Sequence, residues 1–309
     1  MLRRLTLSHT SAPRPRFPRA LQIALAVCAL ALSAIPGNAA TPSAGYTSVP
    51  AHQWAVDAAN NEVKVIEYEQ SYLRYKAHII NSKGDETRDV METRDGTVAR
   101  LIARSNRPLT AEEDAAEHER LQAMLDSPSA FARHIRSDVS GKKLAVDMIK
   151  LMPDAMLFDY TPGQPQRARP GVDTTDPEVV IDFHPNPSWN PPTMASSALT
   201  GLRGRLWIDA HTHHMMRMEG QIFQSVNVGW GMLAHLYPGG NLSLEQIRAG
   251  ENRWLFSHFV EHIMLRAMMV KTIKEDAEIQ ASDLQPISGM TYQEAIRVLE
   301  ATPLPGHVQ

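Results

Sequence analysis

Residues 90–102 read Val-Met-Glu-Thr-Arg-Asp-Gly-Thr-Val-Ala-Arg-Leu-Ile, two apolar runs joined through Asp95-Gly96. An Asp-Gly pair between such runs is a strong hairpin signal, because glycine adopts the positive φ angles of tight turns at little cost. A second turn signal stands just upstream at residues 82–85, Ser-Lys-Gly-Asp. The two turns predict an antiparallel meander over residues 62–104.

Further strands are expected on both sides of this hairpin. Val63 and Val65 alternate with charged neighbours, as the residues of a half-exposed strand do. Later strands are predicted at Val179–Phe183, Gly204–Asp209 and Met216–Phe223. The period of residues 252–282 is ambiguous between long strands and one helix.

Helices are predicted between the two groups of strands and at the end of the chain. Thr110 followed by Glu113 forms a capping box, which predicts a helix from there to about Leu125. Residues 129–137 and 143–152 are expected to form two further short helices. A second capping box, formed by Thr291 and Glu294, predicts a helix near the C-terminus.

The order strands, helices, strands predicts an α+β fold with a curved antiparallel sheet covered by helices. We expect a signal peptide over residues 1–39 and a flexible leader over residues 40–61. A single α+β domain is expected over residues 62–288, with a Pro-rich loop at residues 161–178. A C-terminal helix and tail are expected over residues 289–309.

The first residues have the three parts of a secretory signal in the right order. Five arginines precede Ala20–Ile35, an apolar run shorter than the roughly 20 residues of a membrane span. Gly37-Asn38-Ala39 then supplies the small residues of a cleavage site. The pattern predicts a periplasmic protein cleaved near Ala39, with a retained anchor, a twin-arginine signal and lipidation at Cys28 left open as alternatives.

Charge and cysteine content narrow the possible partners. The whole chain carries a net charge of −3, and removal of the arginine-rich signal peptide makes the remaining chain more acidic. A mildly acidic chain argues against nucleic acid as a partner. The single cysteine lies in the predicted signal, so no disulfide is expected in the mature protein.

Two histidine segments resemble metal-site motifs. Residues 209–214 read Asp-Ala-His-Thr-His-His, and residues 258–262 read His-Phe-Val-Glu-His. The first matches the opening strand of metal-dependent hydrolase barrels, but only about 95 residues follow it, without the repeated βα pattern of such a barrel. The second matches a zinc-protease motif if it is helical, whereas in a strand Glu261 would point away from both histidines.

A third interpretation joins the two segments. If both lie on neighbouring strands, His211, His213, His258 and His262 could converge on one structural metal ion. We expect no metal, no cofactor and no catalytic residue, and keep a metal-dependent hydrolase that uses residues 211–214 and 258–262 as the alternative function.

Several short segments resemble outer-membrane lipoprotein-sorting-like proteins, which are loosely related to the periplasmic LolA and LolB lipoprotein carriers. These segments are Asp95-Gly96, Arg100-Leu101-Ile102, Pro108-Leu109-Thr110, Gly201-Leu202-Arg203-Gly204, Trp207-Ile208-Asp209, Met218-Glu219-Gly220, Trp254-Leu255 and Ser282-Asp283. The resemblance covers most of residues 65–285. It implies an unclosed antiparallel β-barrel whose open side is plugged by helices, with an apolar cavity for acyl chains.

The resemblance also implies a function. We expect a non-enzymatic binding or carrier protein in the cell envelope whose partners are lipid or lipoprotein acyl chains, with further envelope proteins as possible partners. Ile181, Phe183, Trp207 and Phe223 are the expected cavity residues. The arginine that latches the helical lid of the carriers has no clear counterpart in this sequence, so no residue is carried over from the family.

Overall fold

The structure is a computed structural model that describes residues 46–68, 71–162, 178–228, 234–250, 253–267 and 271–304. One large antiparallel sheet dominates this part of the chain, in the strand order β4-β3-β2-β1-β13-β12-β11-β8-β7-β6-β5. Short strands β9 and β10 pair with each other, and β10 also pairs with β12. Within the described residues, the two ends of the sheet do not pair, so the sheet is open. The predicted α+β class and unclosed antiparallel sheet are confirmed.

The thirteen strands span a wide range of lengths. They are β1 (Tyr72–Asn81), β2 (Gly84–Thr93), β3 (Gly96–Arg104), β4 (Arg107–Pro108), β5 (Met156–Tyr160), β6 (Glu178–Pro185), β7 (Leu202–Asp209), β8 (Met215–Ile222), β9 (Val226–Val228), β10 (Ala234–Leu236), β11 (Asn241–Arg248), β12 (Trp254–Ala267) and β13 (Lys271–Ile287). The two longest, β12 and β13, pair along ten residues and resolve the ambiguity of residues 252–282 in favour of strands.

Both predicted turns occur where the sequence places them. Asn81 pairs with Gly84 across the first hairpin, and Thr93 pairs with Gly96 across the second. Gly84 and Gly96 have φ angles of 141° and 134°, values that residues with a Cβ rarely adopt. The first strand, β1, also pairs with the last strand, β13. This pairing brings the first and last strands of the described chain together in the middle of the sheet.

Four α-helices lie in the described part of the chain. They are α1 (Ala51–Tyr68), α2 (Ala111–Asp126), α3 (Pro128–Ala155) and α4 (Tyr292–Ala301), and 3₁₀-helices lie at Tyr46–Ser48 and Ala195–Gly201. Thr110 and Thr291 each form the predicted capping box. The prediction of two short helices over 129–152 is wrong, because α3 runs unbroken through Gly141. Its first residue is Pro128, and its one interior proline, Pro153, lies in the last turn.

Helix α1 replaces the strand expected at Val63 and Val65, and the expected flexible leader over residues 40–61 is helical from Ala51. Its buried residues include Ala51, Trp54, Ala55, Ala58, Glu62 and Val63. This spacing of three and four is that of one helix face. The two-residue alternation at Val63 was too short to outweigh it.

Two helical layers cover different parts of the sheet. Helices α1 and α3 contribute to the main apolar cluster with Val179, Ile181 and Phe183 of β6. Helices α2 and α4, with the start of α3, form a second group that we call the α2–α4 cluster: Met91, Val98, Leu121, Met124, Phe131, Tyr292, Ala295, Ile296 and Leu299.

Several expected segments fall outside the described residues. These are the signal peptide at 1–39, most of the Pro-rich loop at 161–178, and the last five residues of the tail. The proposed division of the chain into segments otherwise stays a prediction.

Candidate ligand pocket

A partly open apolar pocket of about 260 Å³ lies between α1, α3 and the sheet. We call it the α1–α3 pocket. Its lining is Ala55, Ala58, Ala59, Glu62 and Ile66 of α1, Ala145, Met148, Ile149, Met152 and Pro153 of α3, Phe158, Leu199, Leu202, Leu206, Met215, Met218, Leu244 and Phe259. Among these residues Glu62 is the single ionisable group.

The space exists because the two helices present small side chains where they approach the sheet. Ala55, Ala58 and Ala59 lie on one face of α1, and Ala145 lies on the facing side of α3. An alanine ends at Cβ, so larger side chains at these positions would fill the volume that the pocket occupies.

The sheet supplies a row of larger apolar residues as the floor. Cross-strand pairing aligns Leu206 with Met218, Met218 with Leu244, and Leu244 with Phe259. Directly paired residues share one face of a sheet, so these four side chains point together toward the helices. The floor therefore runs across β7, β8, β11 and β12.

Glu62 is a buried carboxyl group with one unsatisfied oxygen. Its side chain is 8% exposed, and Gln246 Nε2 donates a hydrogen bond of 2.9 Å to Glu62 Oε2. Glu62 Oε1 is buried and has no hydrogen-bond partner among the described residues. A buried acceptor left without a donor costs on the order of 1–3 kcal/mol, so this oxygen is a destabilising feature of the fold.

Burial changes the ionisation of this carboxyl. Loss of hydration raises the pKa of Glu62 from an ordinary 4.5 to about 7, and the Gln246 amide, the backbone of Met215 and the charge of Arg253 oppose that rise. Arg253 forms a salt bridge of 2.8 Å to Glu92. This salt bridge weakens the effect of the Arg253 charge on the Glu62 carboxyl. Glu62 therefore changes its protonation state close to neutral pH.

Helix α1 is held to the sheet by polar contacts at the turn between β7 and β8. The His213 ring lies 4.4 Å from that of Trp54, and His213 Nδ1 is 2.8 Å from Asp57 Oδ2. Asn61 donates to the carbonyl oxygens of Thr212 and His213 at 3.1 Å and 3.2 Å. These contacts fix the helix that carries Glu62 and the alanines.

The four expected cavity residues do not line this pocket. Ile181 and Phe183 are buried in the apolar cluster beneath it. Trp207 packs in a separate group with Val180, Met216 and Trp254, and Phe223 contacts the guanidinium of Arg203 at 5.3 Å. A ligand role for these four stays a prediction, and the pocket residues are the stronger candidates.

The structure does not bring the four histidines together. His211 and His213 lie in the turn after β7 rather than on a strand, because Asp209 Oδ1 accepts hydrogen bonds from the backbone of His211 and Thr212. His258 and His262 lie on β12, which β11 and β8 separate from β7. Within the described residues, no group of three or more potential metal ligands occurs.

The strand geometry also separates the parts of the zinc-protease motif. His258 bonds to Glu278 at 2.9 Å and His262 to Asp276 at 3.0 Å, both across β12 and β13. Glu261 is 2% exposed, whereas His262 is exposed. Since successive strand residues point to opposite faces, Glu261 faces away from both histidines, as expected for the strand interpretation.

Glu62 and the alanines of α1 were not predicted from the sequence. Their positions, 55, 58, 59, 62 and 66, have a helical spacing that could have revealed an amphipathic helix. An acidic residue on the apolar face of such a helix is the signal that marks Glu62 as unusual.

No protein-family model matches this sequence, and a comparison with curated proteins finds no match. Among solved structures, the chain is similar to a DUF1329 family protein from Desulfovibrio piger, at 12% identity and a TM-score of 0.31, covering 78% of this chain and 95% of that one. It is also similar to an outer membrane lipoprotein-sorting protein domain from Vibrio parahaemolyticus, at 10% identity and a TM-score of 0.26, covering 80% of this chain and 99% of that one.

At TM-scores this low, neither likeness says by itself what this chain binds. Within the described residues, none of the helices has the length and apolar character needed to cross a membrane.

Proposed function

We propose that this protein is a non-enzymatic binding or carrier protein of the cell envelope, and that the α1–α3 pocket holds the aliphatic part of a lipid-like ligand. The observation that carries the proposal is the lining of the pocket, which is apolar except for Glu62. Small-molecule sites are typically concave and mostly apolar, with few polar groups that orient the ligand.

The size of the pocket limits what it can enclose. Its volume of about 260 Å³ is just below the range of roughly 300–1,000 Å³ that is usual for ligand pockets. A dry apolar cavity of about 150 Å³ accepts benzene, so by proportion this pocket accepts about ten heavy atoms. A short chain, or the end of a longer acyl chain, fits these dimensions.

Burial of the aliphatic chain supplies the driving force for binding. Each buried methylene contributes about 0.8 kcal/mol, so a chain of about eight carbons gains roughly 6 kcal/mol before the cost of immobilisation. The predicted signal peptide places such a carrier in the periplasm, where it would meet lipid and lipoprotein acyl chains.

The proposal is tested by filling the pocket. Residues 40–309 are purified, extracted with organic solvent for lipid analysis, and titrated with a short aliphatic alcohol that carries a fluorophore. Ala59→Phe adds a ring in the pocket and is expected to weaken binding of this probe at least tenfold. Ala123→Phe, at an exposed position of α2, adds the same ring elsewhere and should leave binding unchanged.

Two results would contradict the proposal. One is the absence of saturable binding together with no co-purified lipid. The other is saturable binding that Ala59→Phe and Ala123→Phe affect equally, which would place the ligand elsewhere. Circular dichroism of both variants checks that they are folded.

A further inference from the structure

The unsatisfied oxygen of Glu62 gives the pocket a chemical preference as well as a shape. Oε2 already accepts from Gln246, and Oε1 is buried without a donor. The other side chains that line the pocket are hydrocarbon or thioether groups, so none of them can donate a hydrogen bond to Oε1. The backbone of Met215 also acts on this carboxyl, and a ligand with an O–H or N–H group would supply a donor for Oε1.

We propose that the α1–α3 pocket selects amphiphiles whose polar end donates a hydrogen bond to Glu62 Oε1, namely aliphatic alcohols or amines with a short chain. This inference rests on the proposed function, since it names the ligand class of the same site. The chain would lie against Met218, Leu244 and Phe259, and the O–H or N–H would point at the carboxyl.

The geometry disfavours ligands that can only accept hydrogen bonds. An ether or ester oxygen placed at Oε1 would leave two acceptors facing each other, and a carboxylate would add a second negative charge. A donor, by contrast, removes an existing penalty of the empty protein. The difference between a matched donor and an acceptor-only isostere in a buried site is commonly tenfold or more.

The test compares ligands of equal chain length by isothermal titration calorimetry at pH 8.5. The probes are 1-octanol, octylamine, octyl methyl ether and octanoate. At this pH, which exceeds the pKa of about 7, Glu62 is ionised and both of its oxygens accept. We expect 1-octanol to bind about tenfold more tightly than octyl methyl ether, and octanoate to bind least.

Glu62→Gln should reverse this order. Its carbonyl oxygen can keep the bond from Gln246, which turns the amide N–H₂ toward the pocket as a donor. Octyl methyl ether should then bind more tightly than it does to the wild-type protein, and 1-octanol should lose its advantage. Glu67→Gln is the matched control, because Glu67 lies on the same helix and bonds to Lys150 at the surface.

The outcomes separate the two proposals. Equal affinity of the wild-type protein for 1-octanol and octyl methyl ether overturns the donor preference and leaves the binding function standing. Failure of all four probes to bind overturns both. If Glu62→Gln does not fold, the comparison of 1-octanol with the ether on the wild-type protein still decides, and octylamine against octanol separates amines from alcohols.

Discussion

The two helical layers of this protein treat the sheet differently. In the α2–α4 cluster, large side chains fill the interface: Leu121, Ile296 and Leu299 are fully buried, and the rings of Phe131 and Tyr292 stack at 3.7 Å. At the α1–α3 pocket, alanines face the sheet and about 260 Å³ stays free. The first layer is tightly packed, and the second leaves an apolar space between its helices and the sheet.

The helices of the α2–α4 cluster differ among themselves in how their ends are capped. Both helices of the α2–α4 cluster begin with a complete capping box, and Arg100 bonds to the carbonyl oxygens of Leu299, Glu300 and Thr302 at the end of α4. Ser127, at the start of α3, makes no side-chain cap hydrogen bond. Because the start of α3 belongs to the α2–α4 cluster through Phe131, the quality of capping varies within one layer and does not separate the two layers.

The strongest test of the difference between the two layers is to truncate a leucine to alanine in each of them. Leu121→Ala should lower the free energy of unfolding by about 4 kcal/mol, because it opens a cavity in a filled cluster. Leu244→Ala should cost clearly less, because Leu244 borders a space and already lacks contacts on that side. Urea denaturation measures both. Equal losses would mean that the pocket is as well packed as the cluster.

The second prediction concerns the buried carboxyl of the pocket. Because the pKa of Glu62 is raised in the folded state to about 7, the folded protein holds its proton more tightly than the unfolded chain does. The free energy of unfolding should therefore fall as pH rises from about 4.5 through about 7, by about 3 kcal/mol in total.

Glu62→Gln should remove this dependence. The variant is expected to be more stable than the wild-type protein by about 3 kcal/mol at pH 8.5 and to match it at pH 4, where the carboxyl is protonated in both states. Thermal or urea unfolding across pH 4–9 tests this. A wild-type profile that Glu62→Gln leaves unchanged, or that Glu67→Gln alters equally, would contradict the assignment to Glu62.

Arg100 offers a third test, on the filled side. Arg100→Met keeps the aliphatic stem but leaves three carbonyl oxygens at the end of α4 without their donor, at a cost of about 2 kcal/mol. Hydrogen exchange should rise in residues 296–302 and stay unchanged in α1. Lys143→Met removes an exposed pair with Asp147 and serves as the control, with little effect expected. No change in exchange near α4 would show that these bonds are dispensable.

The smallest expected effect is that of the caps. Thr291→Ala removes the side chain that accepts from the backbone of Glu294, and should cost about 1 kcal/mol. Ser127→Ala should cost less, because Ser127 makes no such cap bond. If Ser127→Ala is the more harmful change, the cap hydrogen bond of Thr291 contributes less to stability than its geometry indicates.

Features set by neighbouring residues were the predictable ones. The hairpins at Gly84 and Gly96, and the helices that begin after Thr110 and Thr291, follow from chemistry within about four residues, and all are confirmed. The error at α1 has the same origin. Val63 and Val65 imitate a strand over three residues, whereas the helical face of α1 extends over sixteen, from Ala51 to Ile66.

The candidate pocket could not be predicted from the sequence, for a different reason. The helical spacing of residues 55–66 puts Glu62 on an apolar face, but it does not show that the carboxyl is enclosed, because its partner Gln246 follows 184 positions later. Alanines are equally uninformative, since they occur in cores, on surfaces and beside cavities alike. The apolar residues expected to line a cavity, Ile181 and Phe183, do face the helices but lie within the filled part of the core.

The sequence by itself determined where turns and caps stand, which segments are apolar and that the sheet is antiparallel, since these depend on backbone preferences and on periods of a few residues. Only the tertiary structure decided that α1 and α3 meet the sheet through alanines, that the space between them stays free, and that one carboxyl is enclosed there. Cavities and raised pKa values are properties of assembled surfaces, and each wall of this pocket comes from a different part of the chain.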